Sequence, residues 1–340
     1  MHTGVFSDIP FDREGKFNGF ISIPFSIDRS PYYQIKIPVC RIKNGDGQRL
    51  LLMAGNHGDE YEGELCLSKL TRRLQLHDVQ GELTIIPFLN MPAVMAAKRC
   101  SPLDNENLNR CFPGDPNGTP TRRLAHYLER YLFPAHDAVF DIHSGGSSMT
   151  HLPTVLAEEQ ADGARMEAIK ALLSGMGVKY GFIARNGTDA PTSMAAAARA
   201  GILGLSGEFG GGGSVNPVTL ATLEHALDKL LSELGITSQQ IFPSRDASLP
   251  YLGALRLLQL TSHDQAIFAT RRGWFEPAAD IGDIVAHGEI AGWFHDFQDI
   301  TAERIELRFK TSGVVISRRL DVDCEAGDCL IQVGVPIGPE

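Results

Sequence analysis

Two short stretches carry side chains able to share a cation. His57-Gly58-Asp59-Glu60 sets an imidazole and a carboxylate three positions apart, and His143, in Asp141-Ile142-His143-Ser144-Gly145-Gly146, adds a second imidazole. Zinc accepts nitrogen and oxygen ligands of this kind at about 2.0–2.2 Å, and two histidines with one carboxylate leave its fourth position open for chemistry. Alone, His-x-x-Glu reads equally well as an acidic helix start beside a surface histidine. The apolar strand and glycines that flank it favour the metal.

Glu208 follows an apolar run and precedes four glycines at 210–213. Glycine there admits unusual backbone angles and the close approach of a ligand. A glutamate beside a metal can take a proton from water; the plain alternative is a flexible loop with an incidental acid. In Asp104–Gly114, Arg110 offers a fork for a carboxylate and Asn109 an amide beside it, unless Arg110 merely satisfies loop carbonyls. Arg99 either steadies a developing oxyanion or is a solvated arginine at a helix end. Asp141 either orients an imidazole or ends a strand in solvent.

These residues need elements to bring them together. The run 49–55 is a compact apolar strand, 62–76 repeats leucines at helical spacing, and 82–90 is the next strand. A helix is expected over 121–132 and a strand over 137–146 that runs into glycines. Further strands are expected at 153–157, 180–184 and 202–208, with helices near 161–175, 191–200 and 217–235. Alternation of this kind predicts an α/β domain with a largely parallel, mixed sheet, whose site lies beyond the C-terminal ends of its strands. His57, His143 and Glu208 all fall at or just past such ends. Upstream, 17–43 reads as short strands, and Asn44-Gly45-Asp46-Gly47 suits a hairpin turn. The segment 180–194 is expected to line the pocket. From about 250 onward short extended pieces and glycine turns predict a small all-β domain, so the division falls at 1–245 and 246–340.

Composition narrows the function classes. A chain of 340 residues favours two domains over one core. The excess of 41 acidic over 31 basic residues argues against a broad nucleic-acid or anionic-membrane surface. No apolar run of about 18 residues supports a membrane span. The polar first residues carry no signal-peptide core, so cytoplasmic residence is the default expectation. Six cysteines without a Cys-x-x-Cys pair fit free thiols in a reducing compartment.

Taken together the motifs resemble the aspartoacylase and succinylglutamate desuccinylase family, itself similar to zinc carboxypeptidases. The matching residues are His57-Gly58-Asp59-Glu60, Asn107-Leu108-Asn109-Arg110 followed by Phe112-Pro113-Gly114, Asp141-Ile142-His143, and Glu208, in the family's order. The resemblance covers about 40 to 240 and extends to the β tail. It implies a zinc-carboxypeptidase-like mixed sheet flanked by helices, one Zn2+ per chain on His57, Glu60 and His143, and Glu208 as general base. It also implies that Asn109 and Arg110 hold the substrate's α-carboxylate. The family's oxyanion arginine has no clean counterpart, because Pro102 stands where it would align; Arg99 is the nearest candidate. The glycine run and the tail are most similar to the branch that deacetylates N-α-acetyl-L-2,4-diaminobutyrate in ectoine breakdown. The tail also resembles a biotinyl/lipoyl-type fold, without the Asp-Lys or Met-Lys hairpin that would carry a prosthetic group. The implied activity is removal of a small acyl group, acetyl first, from a small-molecule N-acyl amino acid. The rival readings are a zinc carboxypeptidase acting on short peptides and a non-catalytic zinc-containing binding module. Pairing into a homo-oligomer through the tail is compatible with the sequence.

Overall fold

The computed structural model describes residues 4–243, 253–299 and 301–337. Four mutually parallel strands form its centre: Gly81–Ile86, Arg49–Ala54, Ala138–His143 and Leu203–Gly211, adjacent in that order. Gly81–Ile86 and Ala138–His143 are buried at every position. Strands covered on both faces are expected to be apolar throughout, and these nearly are.

Successive side chains on a strand point to opposite faces, and the core divides accordingly. Leu50, Leu52 and Ala54 pack with the helices Tyr61–Arg73, Gly163–Gly175 and Pro217–Glu233. Leu51 and Met53 pack on the other side with Pro120–Tyr127, its π-helical continuation Leu128–Leu132, and Ser193–Ala200. The result is two helical layers around one sheet. Truncating a fully buried leucine such as Leu52 to alanine would cost about 2–5 kcal/mol. Every helix and strand expected between 49 and 235 is present within a few residues of its expected bounds. A short helix, Met91–Ala96, and a 3-10 turn, Leu108–Arg110, were not expected.

One expectation is corrected. Asn44-Gly45-Asp46-Gly47 is a turn, with Gly45 at φ +67°, but it makes no hairpin. Gly81–Ile86 lies between Gln34–Asn44 and Arg49–Ala54, pairing antiparallel with the former and parallel with the latter. A turn signal fixes local reversal, and the non-local strand then takes the vacant edge.

The tail shares strands with the main sheet. Its described residues contain strands and one 3-10 turn, His263–Gln265, as an all-β texture requires. They do not, however, form a wholly separate sheet. Arg256–Gln259 pairs in parallel with Tyr180–Ala184, and Gly313–Arg319 pairs with Met149–Glu158, so the main sheet runs on through the tail as fourteen strands. Among the described residues Ile305–Arg308, Ile290–His295, Gly273–Pro277 and Asp323–Cys324 make a second sheet. The expected boundary at 245/246 lies outside the described residues. Among those described, no helix is long and apolar enough to cross a membrane.

Candidate functional site

The parallel strands deliver the candidate residues to one end of the sheet. His57 and Glu60 lie in the turn from Arg49–Ala54 into the helix Tyr61–Arg73, and Glu60 is that helix's N-cap residue. A carboxylate at an N-cap ordinarily accepts from the helix's own free N–H groups. Here it makes no such bond; both oxygens turn to the site. The turn is tight at Gly58, where a Cβ would collide with the backbone of Ala93 and Val94. His143 is the last residue of Ala138–His143, and its register partner on the neighbouring strand is Glu208. Glu208 thus lies inside Leu203–Gly211 rather than beyond it.

His57, Glu60 and His143 are buried and offer ligand atoms all within 4.8 Å of one another. Glu60 Oε1 is 2.7 Å from His57 Nδ1 and Glu60 Oε2 is 2.9 Å from His143 Nδ1. Each imidazole is held from behind: His143 Nε2 lies 3.0 Å from Asp141 Oδ2, and His57 Nε2 lies 3.0 Å from Asn107 Oδ1. An Nε2–H donated to these oxygens leaves both Nδ1 lone pairs facing the carboxylate, which is the arrangement a cation needs. Among the described residues no fourth histidine, cysteine, aspartate or glutamate joins the group. The donor set therefore fits a cation with an open position better than a closed structural site.

Electrostatics agree. Burial alone would raise the Glu60 carboxyl, but the His57 and His143 imidazoles more than reverse this and hold it below the usual carboxylate range. Burial opposes charge on His143, yet Asp141 and Glu60 on either side raise its pKa well above the ordinary value. A metal can take the place of that proton. Asp141, despite burial, is kept ionised by His143, by the Ser193 hydroxyl at 2.5 Å and by the Asn56 amide at 3.1 Å. Glu208 behaves oppositely: burial, reinforced by Glu60, pushes it up to about 8. Its Oε2 is enclosed and has no hydrogen-bond partner among the described residues. Two neighbouring carboxyls pushed in opposite directions divide between a charged ligand and a proton acceptor.

Arg99 reaches the triad, with Nη1 3.4 Å from both Glu60 Oε1 and His57 Nδ1. It is about half exposed. Arg110 is exposed, and among the described residues no carboxylate pairs with it; its Nη1 donates to the Asn109 carbonyl at 2.7 Å. Burial of part of its surface, with Arg99 nearby, lowers its pKa. Asn109 Oδ1 accepts from Ser193 N at 2.8 Å, and its amide nitrogen makes no hydrogen bond to the described residues. All eight residues singled out by the sequence, Asp141 included, are therefore placed at or around one end of the sheet.

Several members were not foreseen in their roles. Asn107 was part of a motif, but nothing marked it as the partner of His57, fifty positions away. Ser193 ties the end of the 180–194 segment to Asp141 and Asn109. His151, on Met149–Glu158, is pushed down to about 4 by burial, with Arg99 and His143 opposing its charge as well. No spacing rule points to it.

The family described as the succinylglutamate desuccinylase/aspartoacylase catalytic domain matches residues 46–234. The N-alpha-acetyl-L-2,4-diaminobutyric acid deacetylase of Halomonas elongata is 32% identical over 330 residues, covering 96% of this chain and 93% of that protein. The product-bound structure of the ectoine utilization protein EutE (DoeB) from Ruegeria pomeroyi superposes with a TM-score of 0.90 at 33% identity, over 98% of this chain and all of that one. A succinylglutamate desuccinylase/aspartoacylase from Rhodobacter sphaeroides gives 0.91 at 32%, with the same coverage.

Proposed function

Because the chain belongs to the succinylglutamate desuccinylase/aspartoacylase family and is an amide-hydrolysing enzyme, we propose that it is a zinc-dependent deacetylase of N-acyl amino acids, with N-α-acetyl-L-2,4-diaminobutyrate as the preferred substrate and a place in ectoine breakdown. The observation that carries this reading is the convergence of two Nδ1 atoms and one carboxylate beside a carboxyl of opposite pKa tendency. The similarity to the Halomonas deacetylase and to EutE supports the choice of substrate.

His57, Glu60 and His143 would hold the ion. A bound zinc supplies a Lewis acid for the acyl carbonyl and lowers the pKa of water. The chain's own residues do the rest. Glu208 accepts a proton from the attacking water at its unpartnered Oε2 and returns it to the leaving amine. Arg99 faces the oxygen on which charge develops. Arg110 and the Asn109 amide hold the α-carboxylate, which fixes the scissile bond against Glu208. Asp141 and Asn107 keep the two imidazoles in the required tautomer.

The test is a panel of N-acetyl, N-succinyl and N-aspartyl-type amino acids and short peptides, assayed with chelator-treated and zinc-reloaded protein. Turnover is expected on acetylated diaminobutyrate, lost on chelation and restored by zinc. Full activity without metal sinks the zinc reading, and preference for peptides makes the enzyme a carboxypeptidase instead.

A further inference from the structure

Glu62 is a buried carboxylate that the reaction does not use. It lies on the first turn of the helix Tyr61–Arg73, two residues beyond the ligand Glu60, and has no exposed surface. Its Oε1 accepts from Gly211 N at 3.2 Å. Gly210, at φ +80°, lies so close that a Cβ there would collide with the same oxygen. The Ser144 hydroxyl, next to His143, and the backbone of Asn216 also stand against this carboxylate and favour its charged form. Burying a carboxyl group for packing alone is costly, and an apolar side chain would fill the space better. Such local departures from good packing are expected where function demands them.

The glycine run has two kinds of anchor. Backbone bonds tie it to the turn after His143: Gly145 N to the Gly210 carbonyl at 3.0 Å, and Gly213 N to the Gly146 carbonyl at 2.8 Å. Glu62 ties it to the other ligand-bearing segment, the start of the helix that carries Glu60. Glu208 stands three residues before Gly211 on the same strand.

We propose that Glu62 is a positioning residue for catalysis: through Gly211 its carboxylate fixes the separation between the Glu60 helix start and the strand that carries Glu208. This rests on the reading of Glu208 as the base. Glu62 has no exposed surface for a substrate to touch, so the effect falls on turnover rather than on binding. Misplacement of a reacting group by about 1 Å costs up to roughly a hundredfold in rate.

The experiment compares Glu62→Ala, Glu62→Gln, Gly210→Ala and Glu208→Gln in the full-length, zinc-loaded chain, reading kcat, KM, bound zinc and melting temperature. Glu62→Ala is expected to lower kcat roughly ten- to a hundredfold with KM and zinc content unchanged. Glu62→Gln, whose amide oxygen still accepts the Gly211 N–H, is expected to recover most of that loss. Gly210→Ala, which displaces the same contact, is expected to reproduce it. The proposal is overturned if Glu62→Ala turns over like the parent, if zinc is lost in step with kcat, or if Glu62→Gln is as impaired as Glu62→Ala. Should Glu62→Ala not fold, an impaired Glu62→Gln overturns the proposal, and an active one beside a slow Gly210→Ala supports it. An active Glu208→Gln would instead remove the base assignment and is read separately.

Discussion

The strand ends around His57 and His143 and the tail beyond residue 253 use buried and exposed surface in opposite ways. At the strand ends charged and polar side chains are buried together: Asn56, His57, Asp59, Glu60, Glu62, Asp141, His143 and Ser144. In the tail the notable feature is apolar surface left in solvent, with Trp274, Ile284 and Val322 each about half exposed or more. Its buried residues form small apolar clusters around Val315 and Phe275. Hydrogen bonds among these groups, such as those of Glu60 and Asp141 to the two imidazoles and Asn56, restrict them to one geometry. The contrast indicates where the chain spends folding free energy on position and where it does not.

That contrast is broken most severely by removing one of the three converging side chains. His143→Ala is expected to lose stoichiometric zinc and all measurable turnover, checked by metal analysis beside the assay; full zinc occupancy would show that the triad is not the metal centre. Glu208→Gln should keep the metal and lose about 10²–10⁴-fold in kcat, because an amide cannot accept the proton. A rate near the parent's would move the base to another residue.

The two imidazoles sharpen the comparison within the site. His143 leans on a charged carboxylate and His57 on a neutral amide. Asp141→Asn is expected to weaken zinc affinity by about ten- to a hundredfold, and Asn107→Ala by less. Equal effects, measured by competition with a chelator, would mean that the charge of the outer partner is irrelevant.

Acid–base behaviour gives a gentler probe. Burial, with Glu60 and Asp59 nearby, pushes the Glu64 carboxyl up to about 8, from an ordinary value near about 4.3. A raised folded pKa means that the native state binds the proton more tightly than the unfolded chain. Its contribution to stability is therefore full below the ordinary value and is lost as pH rises through about 8. The melting temperature should fall over that window, and Glu64→Gln should flatten the fall. An unchanged slope would place the titration elsewhere. Least of all, Trp274→Ala in the tail, where the ring stacks on Phe297 at 5.8 Å, should cost about 1 kcal/mol of stability and leave kcat/KM untouched. A large loss of activity there would tie the tail's outer sheet to the site.

The sequence made much of this legible. Leu50–Ala54 and Ala138–His143 are apolar because both faces are covered, so the strands and the residues at their ends could be read together. What it hid was non-local. That Gly81–Ile86 inserts beside Arg49–Ala54, and that Arg256–Gln259 joins Tyr180–Ala184, depends on edges that no local pattern describes. Asn107 was recognisable as a motif member, but its bond to His57 arises from an irregular loop folding back across fifty residues. His151 carries no spacing signal at all. Positions at strand ends and within short motifs were legible, and the contacts that loops and distant strands make across the chain were not.

The side-by-side register of His143 and Glu208 makes the peptide ladder itself a ruler. Neighbouring strands lie about 4.8 Å apart, and no rotation of a loop can change that spacing. Lengthening Leu203–Gly211 by one residue ahead of Glu208 would turn its side chain to the opposite face of the sheet, whereas the same addition after Ser214 would leave the two residues side by side. Whatever substrate the surrounding loops come to select, the gap between His143 and Glu208 is inherited from the sheet.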